Sequence, residues 1–269
     1  GYLNHEMDAG LEAFGDFYYY TSATVRVFDP STALTAVPLR IGASNYYNPL
    51  GPLGSPNRLP DPTGVLLASV PDAGLELNID NYRFAQNPRV TDNDGDAIRF
   101  LAGLRGTRGD WDWESAVVWS EATRDDITHN RLSNTLITEA LFDPTPAAYN
   151  PFAGGADSNI ERAYIDVYRK GRTTLSMWDI KFSNAEIFEM PAGPVGFVTG
   201  YEYRRETYRD NRDPRLDGTI RFTDFQGETY PLVSDVVGSS PTPDGRGQRT
   251  TNSLFMEFQV PLHRSLDVQ

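Results

Sequence analysis

Residues 173–208 constrain the fold more than any other stretch, because two runs there alternate apolar and polar residues with a period of two around a compact turn. The turn is Glu189-Met190-Pro191-Ala192-Gly193-Pro194, and the flanking pattern is that of a long antiparallel hairpin. On the second arm Val195, Phe197, Thr199, Tyr201 and Tyr203 share one face, while Gly196, Val198, Gly200, Glu202, Arg204 and Glu206 share the other. A strand of a soluble sandwich alternates as well. Each arm, however, outruns the roughly 9 to 11 residues that a tilted strand needs to cross a bilayer, and tyrosines close the apolar row where an interfacial girdle would lie.

The same alternation recurs near residues 10–27, 97–105, 111–123 and 249–261, which with 173–187 and 195–208 makes about six long strands. Residues 10–27 set Leu11, Ala13, Phe17, Tyr19, Val25 and Val27 against Glu12, Asp16, Ser22, Thr24 and Arg26. Acids and hydroxyls on one face suit the solvated interior of a large barrel; a small soluble barrel would fill that face with apolar side chains. Trp111 and Trp113 flank the second short turn, at residues 106–110, as an aromatic girdle or as a soluble tryptophan cluster. A short helix is expected at 133–141 with Ser133 as its cap, a short strand at 75–80, and a strand-initiating turn at Asp92-Asn93-Asp94-Gly95-Asp96.

The connections run long (28–94), short (106–110), long (124–172), short (189–194), long (209–248). Strict alternation puts every long loop at one end of the sheet and every tight turn at the other, the asymmetry of outer-membrane barrels. The mean hydropathy of −0.47, with no apolar run near 18 residues, excludes a helical membrane protein but not a barrel, whose strands hide their apolar face by alternation.

Other classes fall away on chemistry. The chain has no cysteine, and His5, His129 and His263 are too far apart in sequence for metal spacing, so no metal is expected. A net charge of −13 argues against a nucleic-acid partner. Asp94, Asp96 and the Asp125-Asp126 pair lack any companion nucleophile or phosphate-cradling glycines, so no catalytic residue and no cofactor is expected. Neither a basic start nor an apolar middle marks residues 1–6 as a secretory signal, and the chain is expected to be a segment of a larger barrel.

Two tetrapeptides echo each other, Tyr47-Asn48-Pro49-Leu50 and Tyr149-Asn150-Pro151-Phe152. Asn-Pro initiates turns, which is one reading; the other makes Tyr47, Asn48, Tyr149 and Asn150 candidate ligand contacts on long loops. Glu202, Arg204, Glu206 and Glu257 are the candidate lumen-facing residues, with a cross-strand ion-pair ladder as the alternative for the first three.

The run from Phe188 to Phe197, continuing through Gly200-Tyr201-Glu202-Tyr203-Arg204-Arg205-Glu206, resembles a barrel hairpin of TonB-dependent outer-membrane receptors. The Tyr-Asn-Pro loops, Ser234-Asp235-Val236 and the stretch from Phe255 to Leu262 fit the same group. The resemblance implies an all-β fold: residues 1–269 would be part of an antiparallel transmembrane β-barrel with long extracellular loops and short periplasmic turns. The family's plug domain and TonB-contacting box have no counterpart in this sequence, and about six strands cannot close a 22-stranded wall. For the intact parent it implies active, non-enzymatic uptake of a small or oligomeric nutrient in the outer membrane. The partners would be outer-membrane lipid, the nutrient, and TonB through the plug. A passive porin or structural barrel is the alternative, and a soluble carbohydrate-active β-protein a more distant one.

Overall fold

The computed structural model describes residues 1–7, 10–32, 37, 39–84, 86–263 and 266–268. Its elements in order are β1 (Tyr2–Met7), β2 (Leu11–Phe28), β3 (Leu39–Ile41), β4 (Leu77–Ile79), β5 (Arg89–Arg108), β6 (Trp111–Leu132), α1 (Asn134–Phe142), β7 (Tyr164–Met190), β8 (Gly193–Arg212), α2 (Pro214–Asp217), β9 (Arg221–Thr223), β10 (Thr229–Ser234), β11 (Gly245–His263) and β12 (Leu266–Val268). The protein is mostly β. Seven strands form one antiparallel sheet in the order β1-β2-β5-β6-β7-β8-β11, with the short β12 added against the end of β11.

All six expected long strands are present at 18 to 27 residues each, five of them longer than the alternation indicated and β2 of the same length, shifted by one residue. The seventh, β1, is too short to show a pattern of its own and is held by pairing with residues 11–16 of β2. The expected turn at Asp92–Asp96 lies instead inside β5. Each of its residues is laddered to β2 on one side and β6 on the other, and Asp96 accepts a hydrogen bond from the Tyr19 hydroxyl at 3.1 Å, so pairing on both edges overrides the local turn preference. Between β5 and β6, and between β7 and β8, only two residues turn the chain (109–110 and 191–192). Since every neighbour is antiparallel, these two turns share one end of the sheet and the three long connections share the other.

Register assigns the faces. Ala13, Leu104, Ser115, Ile180, Tyr201 and Leu254 lie in one row across β2, β5, β6, β7, β8 and β11. Above and below them on the same face come Phe17, Phe100, Val117, Trp119, Trp178, Phe182, Phe197, Met256 and Phe258, most of them exposed. Within this apolar band β2, β6, β8 and β11 carry no Asp, Glu, Lys or Arg on this face, and β1 adds His5, paired with Ala13. The opposite face at the same level carries Glu12, Asp16, Arg99, Arg105, Glu114, Asp179, Lys181, Glu202 and Glu257. Phe197, Tyr201, Tyr203, Met256 and Phe258 therefore share the apolar face, with Glu202, Arg204 and Glu257 on the other.

The band runs obliquely to the hydrogen bonds. Its edge toward the long loops is marked by Tyr19, Ile98, Trp119, Trp178, Tyr203 and Leu254, beyond which come Thr21, Asp96, Glu121, Ser176, Arg205 and Asn252. Small apolar residues resume higher up on β2 at Ala23, Val25 and Val27. The β11 residue in register with Tyr19 is Gln248, so the edge at Leu254 has slipped six residues over five strand-to-strand steps. With a rise of about 3.3 Å and a strand spacing of about 4.8 Å, a level band cut at that slope means strands tilted by about 40°. Nine residues, Leu11 to Tyr19 or Trp111 to Trp119, then give the band a height of about 23 Å.

The buried core lies elsewhere. Leu39, Ile41, Phe84, Leu132, Ile137, Leu141, Tyr149, Ile160 and Val237 pack together, and nearly all belong to the three long connections. Those connections form one folded cap over one end of the sheet. The expected helix is there as α1, with the Ser133 hydroxyl accepting from the Leu136 N–H, and the expected strand is there as β4, paired with β3. Among the described residues no helix is long and apolar enough to cross a membrane, which says nothing about crossing with strands.

Candidate functional site

Two surfaces are built to meet something: the polar face of the sheet and the cap above it. A groove of about 650 Å³ on the polar face is lined from six consecutive long strands, including Tyr18, Arg99, Ser120, Leu175, Glu206 and Arg249. For one groove to collect side chains from six neighbours, the sheet must curl toward that face. Outside that groove, two glycines each leave room for a phenyl ring from the neighbouring strand. Gly103 pairs with Phe14 and Gly200 with Phe255, and each phenyl ring lies over the glycine where a Cβ would be 2.3 and 2.4 Å from ring carbon. The apolar face has its own dent of about 820 Å³ over Ala13, Gly15 and Ala102, walled by Phe17, Phe100 and Trp113.

Some of the charges on the polar face come as paired sets. Arg204 donates to Glu206 at 2.8 Å, and Arg249, the cross-strand partner of Glu206, donates to it through Nε at 2.9 Å. Arg105 donates through Nε to Glu12 at 2.9 Å, and Arg99 sits 3.9 Å from Asp16. Toward the cap, Asp210 accepts from Arg169 at 2.8 Å and from Arg212 at 3.1 Å. Of the four candidate lumen residues, Arg204 and Glu206 pair within β8, and Glu206 alone of the three offered for a cross-strand ladder makes a cross-strand ion pair, with Arg249. Glu202 stands opposite Asp179 in β7, and Glu257 is exposed. A wall of this kind binds water or a polar surface through many weak contacts.

The cap brings the two Tyr-Asn-Pro segments together. The Asn45 side-chain amide donates to the Leu141 carbonyl at 3.0 Å, and the Tyr47 hydroxyl donates to the Pro146 carbonyl at 2.9 Å. Asn48 is buried: its amide donates to the carbonyls of Gly42 and Leu75 at 3.0 and 2.9 Å, and its oxygen accepts from the Leu50 N–H at 2.8 Å. Tyr149 is buried too, with its hydroxyl 2.8 Å from that of Tyr82, and burial followed by that hydrogen bond pushes its phenol well above the ordinary range. The Asn150 oxygen accepts from the Phe152 N–H at 3.0 Å, which makes it a turn former. Tyr47 and Asn150 are half-buried at the surface of the cap.

Asp235 fastens the cap. One of its carboxylate oxygens accepts from the Ser133 hydroxyl at 2.8 Å, the other from the Thr135 N–H and hydroxyl at 2.9 and 2.7 Å, and Arg215 approaches at 3.4 Å. The third connection thereby seals the first turn of α1 in the second, satisfying donors that a helix leaves open. The third connection meets the first where Arg40 donates to Gln226 at 2.8 Å, and meets α1 where Phe225 stacks on Phe142 at 4.5 Å. Sequence reading took these connections one at a time and missed this joint. Its one trace was the isolated apolar residues, such as Phe84, Ile137 and Val237, scattered among prolines and glycines.

Among the described residues no group of three or more metal-binding side chains is placed to hold an ion. His129 lies between Asp166 at 2.8 Å and Asp92 at 3.2 Å, its two ring nitrogens pointing to different carboxylates. No family model, no curated protein and no solved structure matches this chain.

Proposed function

We propose that this chain forms part of the wall of an outer-membrane β-barrel, and that its parent is a TonB-dependent receptor importing a nutrient without transforming it. The observation that carries the reading is the oblique apolar band. A tilt of about 40° and a height of about 23 Å match the roughly 35–45° and 25 Å of outer-membrane barrels, two quantities that a soluble sheet has no reason to combine. Aromatic residues at both edges support it: Tyr19, Trp119, Trp178 and Tyr203 on the loop side, Trp111, Phe197 and Phe258 on the turn side. The paired charges of the polar face suit a wet lumen, and the folded cap suits capture of ligand outside the cell.

The energy coupling rests on the likeness of the 188–206 hairpin to the receptor family. In this reading TonB acts through a plug domain packed against the polar face, and the parts of the cap and groove that meet the nutrient give selectivity. The test is uptake of radiolabelled nutrients by cells carrying the intact parent, with and without TonB. Uptake that needs TonB is the expected result. Saturation-free uptake that is indifferent to TonB would replace the receptor with a passive porin, and a parent found in the soluble fraction would remove the barrel.

A further inference from the structure

On the apolar side of the sheet, beyond the edge of the band, three arginines stand in one row. Arg172 of β7 is the direct cross-strand partner of Arg209 of β8, which is the direct partner of Arg246 of β11. Side chains so paired have Cβ atoms about 5 Å apart, and like charges placed this way repel. Arg205, two register rows nearer the band, and Lys170, one row further out, extend the same face. All five are exposed.

Elsewhere in the sheet several cations are neutralised, while Arg26, Arg89, Arg108, Arg131 and Lys181 have no acid in salt-bridge range among the described residues. Glu206 sits between Arg204 and Arg249, Asp210 between Arg169 and Arg212, and Glu12 beside Arg105. The outward row has carboxylates only at its β6 margin, where Arg172 reaches Glu121 at 2.7 Å and Lys170 approaches Asp125 at 3.9 Å. Arg205 donates to Gln248 at 3.2 Å. Among the described residues Arg209 and Arg246 pair with no acid. A row of three guanidinium groups with a counter-charge on Arg172 alone is a site for an anion with several charged groups.

Height decides which anion. Along strands tilted by about 40°, Arg205 stands about 5 Å above the apolar edge, Arg172 and Arg209 about 15 Å, and Arg246 about 20 Å. An ordinary phospholipid headgroup layer is only about 5–7 Å deep. We infer that this face binds a glycolipid of the loop-side leaflet whose saccharide carries several phosphates, the lower ones on Arg205 and the upper ones on Arg172, Arg209 and Arg246. The inference rests on the membrane reading above.

The test uses the intact parent, purified from membranes in a zwitterionic detergent, and measures binding of three lipids: a multiply phosphorylated glycolipid, the same lipid with its saccharide phosphates removed, and phosphatidylglycerol. Wild type is expected to prefer the first. R209Q/R246Q is expected to lose about thirtyfold in affinity for it, at the scale of one basic residue near an anionic surface taken twice, and to bind the dephosphorylated lipid as wild type does. Arg26→Gln, on the opposite face, should change nothing. Equal binding of the three lipids, an unchanged double variant, or displacement of the glycolipid by millimolar inorganic phosphate would each overturn the inference. Carbonate extraction of the same membranes separates the two readings: a resistant protein without lipid preference sinks this inference alone, whereas an extracted protein sinks the membrane reading.

Discussion

Met256 and Glu257 are adjacent in β11 and lie at the same depth in the band, with their side chains on opposite faces. Met256 is 62% exposed on the sheet and shares a row with Thr199, Phe182 and Trp113. If that face meets hydrocarbon, Met256→Lys places an ammonium about 5 Å inside the loop-side edge of the band, between the interface cost of about 0–1 kcal/mol and the midplane cost of about 2–4 kcal/mol, so a loss of about 1–2 kcal/mol is expected, a shift of about 5- to 30-fold in the folding equilibrium. Glu257→Lys puts the same charge on the wet face, where the native Lys181 of β7 already sits, and should cost less than about 1 kcal/mol. If the sheet were instead water-exposed on both sides, Met256→Lys would fall within about 0.5 kcal/mol of wild type. The assay is urea-driven equilibrium unfolding of the intact parent in lipid vesicles, followed by tryptophan fluorescence. Equal midpoints for the two variants, or a larger loss for Glu257→Lys, would refute the assignment of faces.

Gly200→Ala should destabilise the sheet by about 1–3 kcal/mol, because its Cβ would meet the Phe255 ring at 2.4 Å and the Ile180 carbonyl oxygen at 2.9 Å; an unchanged unfolding midpoint would show that the ring does not lie over the glycine. Asp235→Ala strips Ser133 and Thr135 of their acceptor and should loosen the cap by about 2–3 kcal/mol, seen as faster hydrogen exchange across residues 134–142 with the strands unaffected; uniform exchange changes would contradict a local joint. Asp143 is held down to about 2, chiefly by the Thr145 hydroxyl and then by Arg162, so its contribution is complete above the unfolded value of about 3.9 and is lost as pH falls through about 2. Asp143→Asn should therefore flatten the acid response between pH 4 and 2, and superimposable acid titrations would exclude that origin. Residues 1–269 expressed without detergent should fail to give a soluble monomer, since the aromatic band and the outer edge of β1 are left bare; a monomer with a cooperative melt would count against the membrane reading.

The strands were legible because their side chains obey one rule over a long distance. Leu254, Met256 and Phe258 against Ser253, Glu257 and Gln259 can be sorted by parity alone, and the register then carries the same sorting across six strands. Tight turns between such runs put long and short links at opposite ends with no further information. The slope of the band was hidden, because it appears only when the edge residue of each strand is compared along the ladder. Parity within one strand says which face Trp119 is on, but not that it stands two residues below the register of Tyr19.

The cap was opaque for the opposite reason. Its order comes from contacts between residues roughly a hundred positions apart, such as Asn45 with Leu141 and Ser133 with Asp235, and no local period announces them. Turn-forming Asn-Pro pairs and scattered prolines look like free loop until their partners are known. Once folded, those residues divide into two groups with different tolerances. Asn48, Tyr149 and Asp235 are buried struts, so changing them alters the shape of the whole cap rather than one contact with a ligand. Residues with side chains turned outward, among them Leu66, Phe152 and Leu232, can change without moving the frame. A receptor built this way would acquire a new ligand through the second group while keeping the first. Exchanging exposed tips between related barrels should then transfer ligand preference only where the struts beneath them are shared.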